Sequence, residues 1–284
     1  RRSVERRLAR YATDGASDLT DLCGKEEAWE WATGLVEEIR MAQSGRVSWD
    51  DIESRVILLG QRGVGKTTLT RAIAHAAGLR FVETTASYWG ATESEPGLGW
   101  ARLNGDFQEA LAAAPAVFFI DDVDVFSSQP WAQLLPHFLE QLKGLAAEDR
   151  LVVIAGAQTA ENVRFELRRR GALETMLPMP APNSQALAKM YAVMLEGIPH
   201  TLASGDLDHV GRLSLGLSGH GVELIVRRAI RRARKDGERQ VTKEDITQVL
   251  IQECFGSHAE SRRRLMAEDE LRNTAYHEAG HAIL

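Results

Sequence analysis

Between Arg55 and Ala77 the chain passes from a short apolar run, Arg55-Val-Ile-Leu-Leu59, through Gly60-Gln-Arg-Gly63-Val-Gly65-Lys66-Thr67 into a stretch patterned as a helix. Glycines this dense end the strand and leave backbone N–H groups free to close around oxygen atoms. The following helix adds the positive end of its dipole. A strand, a glycine-rich turn and a helix in that order read as a phosphate-binding loop. Lys66 is placed to reach the β- and γ-phosphates of a nucleotide, and Thr67 to hold Mg²⁺. The nucleotide-binding residues expected here are Gly60, Gln61, Arg62, Gly63, Val64, Gly65, Lys66, Thr67 and Thr68.

The chain around this loop alternates in the same way. Short apolar runs at Arg80–Thr84, Ala116–Ile120 and Leu151–Ala155 predict three more strands. Helical spacing marks Lys25–Met41, with Gly45 as a stop, then Thr67–Ala77, Gly105–Ala113 and Trp131–Leu145. Strands alternating with helices imply an α/β fold, a parallel sheet with helices on both faces. At Met179-Pro-Ala-Pro182 the character changes, and the chain beyond reads as helices at Ser184–Leu195, Asp206–Leu215, Gly221–Lys235 and Thr242–Glu253. In the third of these, Val222, Ile225, Val226, Ala229, Ile230 and Ala233 make one apolar stripe, and Arg227, Arg228, Arg231, Arg234 and Lys235 lie elsewhere on the surface.

Composition narrows the classes further. Of 284 residues 44% are hydrophobic and 26% charged, which excludes disordered and collagen-like chains. With 34 Lys and Arg against 40 Asp and Glu the net charge is −6, which argues against a dedicated nucleic-acid binder. Cys23 and Cys254 are the only cysteines, so a disulfide framework is out and a reducing compartment is expected. No apolar run approaches the ~20 residues of a membrane span. Arg1, Arg2, Arg6, Arg7 and Arg10 form a basic start, read either as a solvated arm or as a segment just inside a membrane. A chain that begins Arg1-Arg2 and stops at Leu284 is expected to be a piece of a longer protein.

A phosphate loop that works on ATP needs carboxylates at the end of a neighbouring strand. Ala116-Val-Phe-Phe-Ile120 runs into Asp121-Asp122. Asp121 is the expected Mg²⁺ partner, together with Thr67, and Asp122 the residue expected to polarise an attacking water.

With these blocks in place the chain resembles the AAA+ ATPases, and specifically the FtsH-type membrane-anchored zinc proteases. Asp21-Leu-Cys23-Gly24 resembles the family's segment whose backbone meets adenine, which adds Cys23 and Gly24 to the nucleotide set. Gly216-Leu-Ser-Gly219-His220-Gly221 resembles the start of the lid helix that faces the nucleotide, which adds Gly219 and His220. Gly97-Leu-Gly99 through Ala113-Ala-Pro115 and Val241-Thr-Lys-Glu-Asp245 are similar to two further blocks. Ala275-Tyr-His277-Glu278-Ala-Gly-His281 resembles the protease's zinc helix, with His277 and His281 as metal ligands on one helical face and Glu278 as general base. A zinc site needs a third protein ligand, and the family's acidic one would fall beyond Leu284, so this piece is expected to lack peptidase activity; His258 is a poor substitute.

The resemblance implies a three-layer AAA+ P-loop domain followed by a small all-α lid. The expected divisions are a basic flank at 1–16, the nucleotide-binding domain at 17–180, the lid at 181–256, and a linker with the start of the peptidase at 257–284. It implies ATP or ADP with Mg²⁺ as cofactors, and zinc in the whole protein. A hexameric ring is implied for the whole protein, while the fragment is expected as a monomer. Polypeptides are the implied substrates, with a cytoplasmic location at the inner membrane's inner face and an anchor upstream. No nucleic acid is expected.

Four departures from the family pattern bear on mechanism. Asp122 replaces a Glu, retracting the carboxylate by one methylene. Gln158 replaces the sensor Asn as the third catalytic group, and its longer amide is a conjectural partner for Asp122. The two arginine-finger positions hold Ala172 and Thr175, with Arg168, Arg169 and Arg170 just upstream, read either as substitutes or as loop solvation. The pore-loop aromatic is replaced by Glu93 or Glu95, and Tyr88 and Trp89 are read either as pore aromatics or as core. These departures sustain an alternative, a nucleotide-binding switch or scaffold ring with decayed hydrolysis. A DNA-associated AAA+ protein is a third reading, resting on arginine clusters alone.

Overall fold

The computed structural model describes residues 26–90, 96–237 and 239–255. These residues divide into two compact units. One runs to Ala186 and takes in Gly216–His220, and the other holds Leu187–Leu215 and the chain from Gly221 on. No helix among the described residues is long and apolar enough to cross a membrane.

In the first unit, helix α1 (Glu26–Gln43) precedes strand β1 (Arg55–Leu59), and the phosphate loop leads into α2 (Lys66–Ala76). Strand β2 (Arg80–Thr85), helix α3 (Pro96–Ala113), strand β3 (Ala116–Asp121), helix α4 (Leu135–Gly144) and strand β4 (Leu151–Ala157) follow. Strand β5 (Thr175–Pro178) completes a sheet ordered β2-β3-β4-β1-β5, with every neighbouring pair parallel. The four expected strands are present. β5 is an addition, and the expected helix over Trp131–Leu145 is a 3₁₀ turn at Trp131–Leu134 running into α4. Pro136 sits in the first turn of α4, where it removes no needed N–H.

The apolar strands are continuous because both faces are covered. Val117 and Phe119 point with Val56 and Leu58 toward α1 and α2, where Leu35, Ile39, Leu69 and Ile73 pack. Phe118 and Ile120 point the other way, onto Leu103 and Phe107 of α3, Phe138 of α4, and Phe126. Trp89 lies in this second core, fully buried, with its Nε1 donating to Asp106 Oδ2 at 2.7 Å. The reading of Trp89 as a pore aromatic is therefore corrected: a burial of this size, with its one polar atom satisfied, is a packing role. Tyr88 is 54% exposed, and the Arg102 guanidinium stacks on its ring.

The second unit is helical. Helix α5 (Ser184–Leu195) enters it, followed by α6 (Ser204–Leu213), most of α7 (Gly219–Lys235) and α8 (Lys243–Phe255). The predicted stripe of α7 is buried at Val222, Ile225, Val226, Ala229 and Ala233. Thr242 and Asp245 cap α8 reciprocally: Thr242 N donates to Asp245 Oδ2 at 2.9 Å, and Asp245 N to Thr242 Oγ1 at 3.4 Å. Arg239 places both guanidinium nitrogens on the same carboxylate, at 2.5 and 2.7 Å.

Candidate active site

The strand order decides the geometry of the site. β4 lies between β1, which carries the phosphate loop, and β3, which ends in Asp121. For Asp121 to meet the loop its side chain must cross the end of β4. The residue there is Gly156, in register with Leu58 of β1, and a Cβ built on it would stand 2.2 Å from Asp121 Oδ1 and 3.1 Å from Lys66 Cε. Any larger residue would fill the channel through which the carboxylate faces the lysine.

The loop itself is held open by glycines. Gly63 and Gly65 have φ of +78° and +101°, a backbone conformation that costs other residues ~1–2 kcal/mol. A Cβ on Gly63 would also come within 2.6 Å of Ser218 Oγ and 3.5 Å of His220 Cβ, so the segment Gly216–His220 closes against the loop within the same unit. Gly60 packs on the Met179 carbonyl, 2.5 Å from where its Cβ would be. The N–H groups of Arg62, Gly63, Gly65 and Lys66 have no acceptor among the described residues, so the turn presents a set of donors to a ligand.

Lys66 is buried, and its Nζ donates to the loop's own carbonyls, Gly60 O at 2.7 Å and Gln61 O at 3.4 Å. Asp121 is half-buried. Burial raises its pKa above the ordinary carboxylate value, opposed by the Asp122 amide, which donates to Oδ1 at 2.9 Å, and by Lys66 nearby. The neighbouring Asp122 and Asp124 push in the same direction as burial. Among the described residues no group of three or more acidic, His or Cys side chains is placed to hold a metal ion by itself, so a divalent cation at Asp121 would take most of its oxygens from a nucleotide's phosphates and water, as Mg²⁺ commonly does.

Asp122 has φ of +57°, the left-handed conformation that Asp tolerates better than most residues. This turns its carboxylate toward the end of β2. Oδ2 accepts from Ser87 Oγ at 3.2 Å and Thr85 Oγ1 at 3.4 Å, and Arg62 Nη2 spans both oxygens at 3.2 and 3.3 Å. The conjectured partnership with the Gln158 amide is not present. Gln158 instead uses its backbone N–H, donating to Asp124 Oδ2 at 3.3 Å, while Asp124 Oδ1 is buried with no partner. That bond ties the end of β4 to the turn after β3, so Gln158 is brought to the site by a residue that sequence reasoning left out.

Of the finger positions, Ala172 is buried and Thr175 Oγ1 donates to Glu53. Arg168 is committed to the carbonyls of Ala160 and Val163, and Arg169 lies over the Phe165 ring. Neither of these two reaches Asp121 or Asp122. Among the residues expected at functional positions, Cys23, Gly24, Glu93, Glu95, His258, His277, Glu278 and His281 lie outside the described residues. The residues that reasoning from sequence missed are Thr85, Ser87, Asp124 and Gly156. A lone glycine between apolar neighbours in a buried strand, Ala155-Gly156-Ala157, was the one signal available for them.

Residues 56–181 match the family described as the ATPase family associated with various cellular activities (AAA). The chain is 29% identical to the ATP-dependent zinc metalloprotease FtsH 3 of Conexibacter woesei, over 99% of this chain and 39% of that protein. It is 28% identical to the FtsH of Caulobacter vibrioides, over 97% of this chain and 45% of that protein. It is 29% identical to FtsH 1 of Sorangium cellulosum, over 94% and 44%. The chain thus spans less than half the length of these relatives. Phosphate loop, strand-end carboxylates and matched residues agree: residues 56–181 are similar to the AAA ATPases, and nearly the whole chain is similar to part of these FtsH proteases.

Proposed function

We propose that the chain is the motor of an FtsH-like protease, binding Mg·ATP at the ends of β1, β3 and β4 and using its hydrolysis to drive polypeptides toward a zinc peptidase. The observation that carries the nucleotide part is the approach of Asp121 to Lys66 across Gly156, beneath a turn whose amides lack acceptors. Thr67 and Asp121 would hold Mg²⁺, which neutralises charge developing on the phosphates. The loop amides and Lys66 bind and orient the phosphates, with Lys66 exchanging the Gly60 and Gln61 carbonyls for phosphate oxygen. Asp122 takes the proton of the attacking water. Gly219 and His220, on the segment against Gly63, line the nucleotide, and Cys23 and Gly24 are proposed for its base.

The protease half of this reading comes from the relatives. His277 and His281 are proposed as zinc ligands with Glu278 as base, the protein as a ring, its location as the cytoplasmic face of a membrane, and residues 181–256 as the lid. A coupled assay of ATP turnover tests the motor. Turnover that collapses on Asp122→Asn supports it, and no turnover in the unaltered chain sinks it.

One observation favours a second reading, a nucleotide-binding switch: the finger positions hold Ala172 and Thr175, and Arg168 and Arg169 are engaged elsewhere. ADP binding measured beside hydrolysis separates the two. Firm ADP binding with negligible turnover at ring-forming concentration selects the switch.

A further inference from the structure

Arg62 sits in the middle of the phosphate loop, yet its side chain turns away from the loop's interior to Asp122. Its Nη2 is 3.3 Å from Oδ1 and 3.2 Å from Oδ2. The other side-chain donors to that carboxylate, Thr85 Oγ1 and Ser87 Oγ, both bind Oδ2 and both come from the β2 end. Arg62 is therefore the only described side-chain donor that touches Oδ1, and the only one that ties the carboxylate to the loop carrying the phosphates. Two hydroxyls alone would leave the plane of the group free to turn about its last side-chain bond. A third donor shared between both oxygens stops that rotation.

We propose that Arg62 is a positioning residue for Asp122, fixing from within the phosphate loop the orientation in which this short carboxylate meets the attacking water. The proposal rests on the ATPase reading above. It gives the aspartate a means of compensating for its missing methylene: the carboxylate is held from two sides, by the β2 hydroxyls and by a guanidinium whose backbone is part of the phosphate cradle. The pair is not a stability device. Arg62 is 72% exposed against 16% for Asp122, and ion pairs open to water on one side add little to folding. Removing the guanidinium should leave a folded chain.

The test is steady-state Mg·ATP hydrolysis, with ADP affinity measured in parallel, on the unaltered chain, Arg62→Ala, Arg62→Lys, Asp122→Asn and the Arg62→Ala/Asp122→Asn double variant. A carboxylate displaced by ~1 Å loses ~100-fold in rate, so Arg62→Ala should lower kcat by about tenfold to 100-fold. KM and ADP affinity should stay within about twofold, since the loop amides and Lys66 bind the phosphates. Arg62→Lys should fall between the two. In the Asp122→Asn background, losing Arg62 should cost nothing further. An unchanged or raised kcat in Arg62→Ala overturns the proposal. So does a loss carried by KM and ADP affinity, or one that persists in full in the Asp122→Asn background. A live unaltered chain with an indifferent Arg62→Ala sinks this proposal alone. An inert unaltered chain sinks the ATPase reading and this proposal with it.

Discussion

Asp121 in the first unit and Asp245 in the second are both withdrawn from water, and they have opposite fates. Asp245 is 2% exposed and surrounded by donors: two nitrogens of Arg239, Arg232 Nε at 3.3 Å, and the amide and hydroxyl of Thr242. The Arg239 hydrogen bonds, ahead of all other causes, pull its pKa down to about 2. Asp121 has one backbone amide and a nearby ammonium already occupied by carbonyls, and burial pushes its pKa up. A saturated carboxylate holds a structure together. An under-served one costs stability until something else arrives, and such groups gather at functional sites.

The difference can be broken most severely at Asp122 and Gly156. Asp122→Asn removes the proposed proton acceptor and should lower kcat by ~100-fold or more, read in the coupled assay. Gly156→Ala should come next. Its Cβ has no room beside Asp121 Oδ1, so turnover should fall by ~100-fold as the carboxylate moves off Lys66. Overpacking should also cost ~1–3 kcal/mol in chemical denaturation. A Gly156→Ala chain with full activity would show that Asp121 need not cross β4.

Asp245→Ala should act only on stability. Its folded pKa of about 2 lies below the unfolded value of ~3.9, so its contribution is complete above pH ~4 and is lost as the pH falls through about 2. That contribution is ~2 kcal/mol, and the variant should lose it at pH 7 while ATP turnover is retained. Denaturant midpoints taken between pH 7 and pH 2 should converge for the two chains at the acid end.

The smallest effect is the most diagnostic. A raised folded pKa has the opposite sense: Asp121 contributes most at low pH and loses that contribution as the pH rises through its folded value. Asp121→Asn should therefore stabilise the ligand-free chain modestly at pH 7, and a fall in its melting temperature would break the comparison.

The local parts of this picture were legible in the sequence, and the non-local parts were not. β1 and α5 begin and end where apolar runs and turn residues put them, because strand, glycine loop and helix are each encoded within a few residues. β5 is an edge strand ending at Pro178, too short for a periodicity, and it is made a strand by its partner β1. Gly156 and Asp124 matter only because β4 lies between β1 and β3, which no local pattern states. Thr85 and Ser87 read as ordinary polar residues, and Arg62 only as one position of the phosphate loop, until the left-handed turn at Asp122 aims its carboxylate at them.

The central claim is that Asp121 is held in deficit for a magnesium-bound nucleotide, and melting curves with and without Mg·ADP test it most directly. At 100-fold excess over the dissociation constant, binding adds ~2.7 kcal/mol to the folded state. Without ligand, Asp121→Asn is predicted to melt above the unaltered chain. With saturating Mg·ADP the order is predicted to invert, because the variant has lost a magnesium partner. The same order in both conditions would contradict the account.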